Sequence, residues 1–383
     1  MSEIALALVL LIGACLLGRS FLNLLSVDPG FVPEHALTLE MHFWDSYPAP
    51  EQQALFVAEV LSRMRAEPGG ADAGAASVLP FHGSSSEMKR VFSTQNEGGG
   101  RETRGTDVTI ATAGYFEAMG IPVREGRVFT RFDGPDDRPV VVITESAARR
   151  YWSDGVFIGR TITMDDGGVR STHEVIGVVA DARHRGLDSG PRAEIFLPHR
   201  QNPFGSMIVV VRTEAEALPM AETLQQQIWD LNPNQVISSV DPLDQLVDRT
   251  VITRKFYLLL ASLFAVTALV LASVGIYGVV TFSTAQRIPE FGVRIAFGAR
   301  PIDIPRMVVS QAFILTAIGF LLGLGLSAAL TRFIEGLLFD LSPTDPLTFG
   351  IVAAILSLTV MLACYTPARK ATEVDPLVAL RND

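Results

Sequence analysis

The sequence predicts an α+β membrane protein in which four transmembrane helices carry a large mixed α/β extracytoplasmic domain, inserted between the first and second. Three observations lead there. Mean hydropathy is positive although the formal net charge is −10, an unusual pairing for a water-soluble chain. The apolar residues gather in four runs, at 4–27, 256–280, 307–331 and 347–366, each near the roughly 20 residues that cross a bilayer. Between the first two runs the chain is polar and patterned like an ordinary globular domain. The 383 residues allow about two domains. The boundaries read as helix 1 over 1–27, the extracytoplasmic domain over 28–253 and a membrane domain over 254–383. Within the last, helices are expected near 256–284, 306–332 and 347–367, with a cytoplasmic segment at 286–305.

The first run reads as a retained anchor. "LIGAC" resembles a lipoprotein cleavage box ending at Cys15, but Ser2 and Glu3 stand where a secretory signal carries positive charge. Apolar residues also resume after Cys15, and Arg19 is expected to reach the outer interface by snorkelling. The missing basic flank suggests an abrupt start, as in a truncated or separated half of something longer.

In the polar region "ALTLEMHF" alternates like a half-buried strand. "PEQQALFVAEVLSRMRAEPGG" reads as an amphipathic helix with Leu55, Ala58 and Leu61 on one face, stopped at Pro68. The stretch 80–105, rich in glycine and serine, reads as a loop. "RPVVVITESAARRYW" predicts a strand and a short helix. "HEVIGVVADAR", "AEIFLPHR" and "MIVVVRT" predict further strands, and "EALPMAETLQQQIWDLNP" a second long helix. Asp241 and Pro242 are N-cap and N1 signals. No breaker follows before the second apolar run, so a continuous helix is expected to lead from the domain into the membrane as a stiff connection.

Charge sets the expected orientation. Residues 286–306 hold Arg287, Arg294, Arg300 and Arg306 against Glu290 and Asp303, net +2. The tail holds Arg369, Lys370 and Arg381, whereas 332–346 holds one arginine against Glu335, Asp340 and Asp345. Basic short loops mark the cytoplasmic side, which places 286–305 and the tail inside and the large domain outside. That domain has 20 basic and 32 acidic side chains, net −12, which argues against nucleic acid or anionic lipid as its partner.

Motifs for chemistry are missing. The six histidines show no metal-ligand spacing, and no G-x-S-x-G or G-x-x-x-x-G-K-[ST] occurs. No catalytic residue, cofactor site or metal site is expected. Cys15 and Cys364 lie within apolar runs and read as filler rather than a disulfide. The spans lack the buried acids and histidines that mark ion relays. Gly319, Gly323, Ser327 and Thr331 form a small-residue stripe suited to helix packing, against this chain or a second subunit. In 286–305, Phe291, Ile295 and Ala299 share one helical face and Glu290 pairs with Arg294 on another. Such a helix suits either a partner's socket or a simple interfacial anchor.

"QRIPEFGVRIAFGARPIDIPRMVV" and "PARKATEVDPLVALRND" resemble the two signatures of FtsX-like permeases. "AGYFEAMGIPVREGRVF" and "VVVITESAARRYWSDGVFIGRTI" resemble the extracytoplasmic core of MacB-type permeases. The chain as a whole is similar to the second half of the duplicated orphan permeases of acidobacteria. It departs from the pattern at Pro289 and at Pro305, where a kink at the entry to the third span is expected. The resemblance implies a permease subunit of an ABC transporter in a bacterial inner membrane. It also implies that a separate ATPase, which binds the ATP, grips 286–305 through Arg287, Glu290, Phe291, Arg294, Ile295, Ala299 and Arg300. A second permease half (homodimer or homologue) and a periplasmic adaptor are the further partners implied. The alternative is a signalling or scaffold protein that regulates a cell-envelope hydrolase without transport. ATPase stimulation by substrate would favour the first reading, and stimulation only by a hydrolase the second.

Overall fold

The computed structural model describes residues 2–43, 47, 49–67, 70–82, 88–95, 101–166, 169–214, 216–286 and 303–372. The chain divides into two compact units, residues 27–252 and, together, 1–26 with 253–383.

The first unit is a mixed α/β domain between the first and second apolar helices, and it has two parts. One begins with strand β1 (Ala36–His42), helix α2 (Pro50–Ala66) and strand β2 (Gly70–Ala76). It ends with β10 (Ser206–Thr213), α5 (Ala221–Leu231) and β11 (Val236–Pro242). The strands lie in the order β11-β1-β10-β2, all neighbours antiparallel. This is a split βαβ arrangement, two β-α-β units interleaved in one sheet. Period-2 alternation puts Leu37, Leu39 and Met41 of β1 and Met207, Val209 and Val211 of β10 on one face. They meet Phe56, Val57, Val60, Leu61 and Met64 of α2 and Leu224 and Ile228 of α5. The buried stripe of α2 therefore differs from the sequence expectation: Leu55 is 70% exposed and Ala58 is exposed too, while Leu61 is buried. Phe56, Val57, Val60 and Met64 make a wider and more apolar face than one centred on Leu55. The helix stops as expected, with Glu67 extended ahead of Pro68.

The other part, residues 77–205, interrupts the sheet between β2 and β10. It holds β3 (Met88–Gln95), β4 (Arg101–Ala111), α3 (Tyr115–Met119), β5 (Val123–Gly126), β6 (Val140–Thr144), α4 (Glu145–Tyr151), β7 (Thr161–Asp166), β8 (Val169–Val179) and β9 (Glu194–Pro198). Six strands pair in a closed circuit, β4-β3-β7-β8-β6-β9 and back to β4. Closure leaves this circuit no open edge. Its core gathers Phe92, Val108, Ile110, Val141, Ile143, Ile162, Met164, Ile195 and Leu197, with Ala147, Ala148 and Tyr151 of α4. Ile176 is an extra residue opposite β6, where Val141 pairs Val175 and Val142 pairs Gly177. That bulge shifts the alternation, so Val175 and Val178 both reach the core. Gly177 is required there because a Cβ would collide with the carbonyl oxygen of Arg127. The expected loop over 80–105 instead contains β3 and the start of β4. Met88 to Gln95 pair residue by residue with Val108 to Arg101, and ladder hydrogen bonds outweigh composition here.

The second unit holds the apolar helices. Four described helices are long and apolar enough to cross a membrane: α1 (Ser2–Leu25), α6 (Leu243–Gln286), α7 (Asp303–Leu330, followed by a 3-10 stretch, Thr331–Leu337) and α8 (Pro346–Thr372). Helix α6 is continuous for 44 residues. It starts one residue after Pro242, because β11 runs through Asp241 and Pro242. Pro305 lies at the start of the described part of α7, and the residues before it, 287–302, lie outside the described residues.

Candidate functional site

The coupling residues expected from sequence, Arg287, Glu290, Phe291, Arg294, Ile295, Ala299 and Arg300, lie outside the described residues. Pro289 lies there as well.

In the membrane unit α1 is the hub. Ile4, Ala7, Leu8, Ile12 and Leu16 are buried with Ala268 and Ala272 of α6 and Val352 and Leu356 of α8. The stripe on α7 meets α1: a Cβ on Gly323 would stand 2.7 Å from Leu8 Cδ2 and 3.1 Å from Ala5 Cα. Ser327 is fully buried and donates to the Gly323 carbonyl at 2.7 Å, and Gly319 is buried. Within this chain Gly323 thus serves close helix approach. A second set of small residues escaped the sequence reading. Ala265, Ala268 and Ala272 are buried in the apolar part of α6, as is Val280, while Phe256, Leu259, Leu263 and Leu271 are exposed. The spacing was visible, but nothing in the sequence says which face of an all-apolar helix is covered.

Arg19 does not simply snorkel. Its Nη1 bonds the Asp345 carboxylate and lies 3.0 Å from Thr348 Oγ1. Asp345 also accepts from the Thr348 backbone N at 2.8 Å, the N-cap of α8, with Pro346 at the first helical position. Nearby, Ser20 Oγ accepts from Phe339 N at 2.7 Å and Asn23 donates to the Asp340 carbonyl. One cation and one acid in two different apolar flanks thus tie α1 to the start of α8.

In the α/β domain two polar centres stand out. His184 Nε2 lies 2.8 Å from Glu194 Oε2, both buried, and Thr109 donates to the other Glu194 oxygen. Burial works against both charges. The mutual attraction nevertheless raises the imidazole pKa and lowers that of the carboxylate. The second centre is a cavity of about 200 Å3 where α2 faces the loop ends of the strand circuit. Ala54, Val57, Ala58 and Leu61 of α2, with Phe129, give it an apolar wall. Arg65, Arg131, Arg200, Asp133 and His199 supply polarity. Arg65 donates to the carbonyls of Ala73 and Ala113. This requires Gly114 at φ +91°, where a Cβ would stand 2.7 Å from Ala73 O. Arg200 donates to the Arg131 carbonyl, and Arg131 lies over the Phe132 ring. Asp133 is held by Arg127 through two 2.8 Å bonds and by Thr130. His199 is 2% exposed, its Nε2 has no protein partner, and burial pushes its pKa down to about 4. Among the described residues no cluster of three or more potential metal ligands occurs.

Comparison with known proteins matches both ends of this architecture. The MacB-like periplasmic core domain matches residues 4–228 and the FtsX-like permease C-terminal domain matches 262–376. The chain belongs to the MacB/FtsX-like family of ABC transporter permeases. Among its relatives is the macrolide export ATP-binding/permease protein MacB of Chromobacterium violaceum, 27% identical over 305 residues. That alignment covers 73% of this chain and 44% of the relative. The protein of the same name from Neisseria gonorrhoeae is 26% identical over 306 residues, covering 75% and 46%. The chain thus spans less than half the length of these MacB relatives. Among solved structures, the periplasmic region of MacB from Actinobacillus actinomycetemcomitans aligns with 58% of this chain and 95% of its own. Its TM-score is 0.39 at 15% identity. The extracellular domain of YknZ from Gram-positive bacteria aligns with 53% and 100%, at TM-score 0.35 and 16% identity. At those scores neither likeness carries weight beyond the family match.

Proposed function

We propose that this chain is the permease subunit of a MacB/FtsX-type ABC transporter in a bacterial inner membrane. In this reading the large domain faces outward and the segment 286–305 faces the cytoplasm. A separate ATPase grips that segment, and its ATP-driven motion passes to the extracytoplasmic domain for export or efflux. A second permease half, as homodimer or homologue, completes the complex, and a periplasmic adaptor fits the same assembly. ATP is bound by the ATPase partner and not by this chain.

The observation that carries the reading is α6. One helix, unbroken from Leu243 to Gln286, starts directly after strand β11 of the split βαβ sheet and leads in sequence to the arginine-rich segment. A continuous helix transmits displacement that a flexible linker would absorb. The broad exposed apolar surface of α6, including Phe256, Leu259, Leu263 and Phe264, suits lipid on one side and a second half on another.

The test targets the proposed socket. Phe291→Ala with Ile295→Ala should weaken co-purification of the ATPase and uncouple its activity, while leaving the permease inserted. Burying two such side chains contributes at most roughly 3–6 kcal/mol, and half of that already exceeds tenfold in affinity. Arg294→Ala should do less, since an exposed helical pair with Glu290 contributes about 0.3–0.5 kcal/mol. Unchanged association and activity in the double variant would reduce 286–305 to an interfacial anchor.

A further inference from the structure

We propose that the cavity between α2 and the segments 129–133 and 198–200 is a binding site for a small anionic amphiphile, an apolar chain carrying a carboxylate or similar anion. The site stands apart from ATPase coupling and holds whether or not 286–305 grips an ATPase.

Three features of the wall point to this chemistry. The first is charge. Arg65, Arg131 and Arg200 line the cavity, and none makes an ion pair among the described residues. Asp133 is the one acid in the lining, and Arg127 already neutralises it through a two-bond pair. This local excess of cations lies in a domain whose net charge is −12, so the cavity runs against the field of its surroundings and favours an anion. Arg200 donates to the Arg131 carbonyl, which fastens the Arg200 guanidinium to the 129–133 segment, while the Arg131 guanidinium lies over the Phe132 ring. The second feature is apolar surface. Val57, Leu61 and Phe129, with Ala54 and Ala58, offer a wall for a hydrocarbon chain. The third is His199, a neutral imidazole on the wall that is almost wholly buried and whose Nε2 lacks a protein partner. Buried polar atoms are nearly always satisfied, and a hydrogen-bonding ligand group reaching this nitrogen would satisfy it.

Size limits the occupant. About 200 Å3 falls below the 300–1,000 Å3 of sites that enclose a drug-sized molecule. The cavity therefore takes a short chain with its head group, or the charged end of a longer lipid-like molecule.

Hydrogen exchange of the full chain in nanodiscs tests this, because it locates protection by segment and separates the cavity from partition into the bilayer. Octanoate is the probe, with octylammonium and octanol as chain-matched controls and acetate as a head-group control. Octanoate should slow exchange at 129–133 and 197–202, with the controls much weaker. A longer carboxylate such as palmitate competing for the same protection would indicate the end of a lipid-like chain, and failure to compete a free small ligand. Arg131→Gln with Arg200→Gln should weaken the apparent affinity for octanoate by about tenfold or more. Ala58→Phe, which leaves every charge in place, should abolish protection by filling the cavity, and His199→Phe should weaken it. Unchanged exchange in β1 and β10 shows that each variant is folded. Equal protection by octylammonium or octanol, no protection by saturating octanoate, or unaltered affinity in the arginine and alanine variants would each overturn the proposal.

Discussion

The two parts of the α/β domain reach stability by different means. The split βαβ part closes an apolar sandwich: alternating β1 and β10 residues against α2 and α5, with no charged side chain among the described residues buried in the Leu39–Met64 cluster. The strand circuit closes an apolar core as well, but seals its margin with ionised and hydrogen-bonded groups, His184 with Glu194 and Thr109, and Arg127 with Asp133. One core answers to volume. The other answers also to protonation and to the presence of both partners, since removing one member of a buried pair leaves the other uncompensated.

That contrast can be broken or sharpened by region-resolved hydrogen exchange on the full chain, where each tenfold loss of protection equals about 1.4 kcal/mol. The largest effect is expected from Glu194→Ala, which strands His184 and should cost the strand circuit about 3–5 kcal/mol. Amides of β4 and β9 should lose protection while those of β1 and β10 hold. Equal losses in both parts would make them one cooperative unit and end the comparison. In the sandwich, Met64→Ala should cost about 2–5 kcal/mol through its cavity, read at β1 and β10, with no dependence on pH beyond that of the parent.

Protonation sharpens the difference further. The raised pKa of His184 gives stability that is complete below its ordinary 6.5 and is lost as pH rises through the folded value. The lowered pKa of Glu194 gives stability that is complete above its ordinary 4.5 and is lost as pH falls through the folded value. Both contributions are complete only between 4.5 and 6.5. Protection lost in Glu194→Gln relative to the parent should therefore be greatest in that window and shrink on either side. A flat difference across pH 4–9 would show that the pair is not ionised. The smallest effect is expected at the exposed pair of Arg149 with Glu145, where Arg149→Ala should cost about 0.3–0.5 kcal/mol or less.

Sequence patterning exposed the sandwich far better than the circuit. β1, β10 and α5 follow from alternation and a helical period, and Pro68 fixed the end of α2. The face of α2 was misjudged because Leu55 was given the weight that Phe56 and Val57 carry once the sheet is present. In the circuit, β3 hid in a glycine- and serine-rich stretch, since its partners β4 and β7 are supplied by remote sequence. β11 hid for the same reason: exposed Val236 and the polar "SSVDP" read as a helix approach until β1 is there to pair with them. Pairs such as His184 with Glu194 and Arg19 with Asp345 have no local signature, because each joins residues whose separation only the fold removes. Family signatures, by contrast, were legible residue by residue at 286–305 and at the C-terminus, where the chain's own periodicity says little.

Nucleotide-dependent exchange at the junction of β11 and α6 tests the account most directly. The measurement uses the chain assembled with its ATPase in nanodiscs, nucleotide-free and trapped with ATP and vanadate. Transmission through α6 predicts that exchange in residues 236–252 changes between the two states, and that Phe291→Ala with Ile295→Ala abolishes the change. Identical exchange in both states, in a complex that demonstrably hydrolyses ATP, would contradict it.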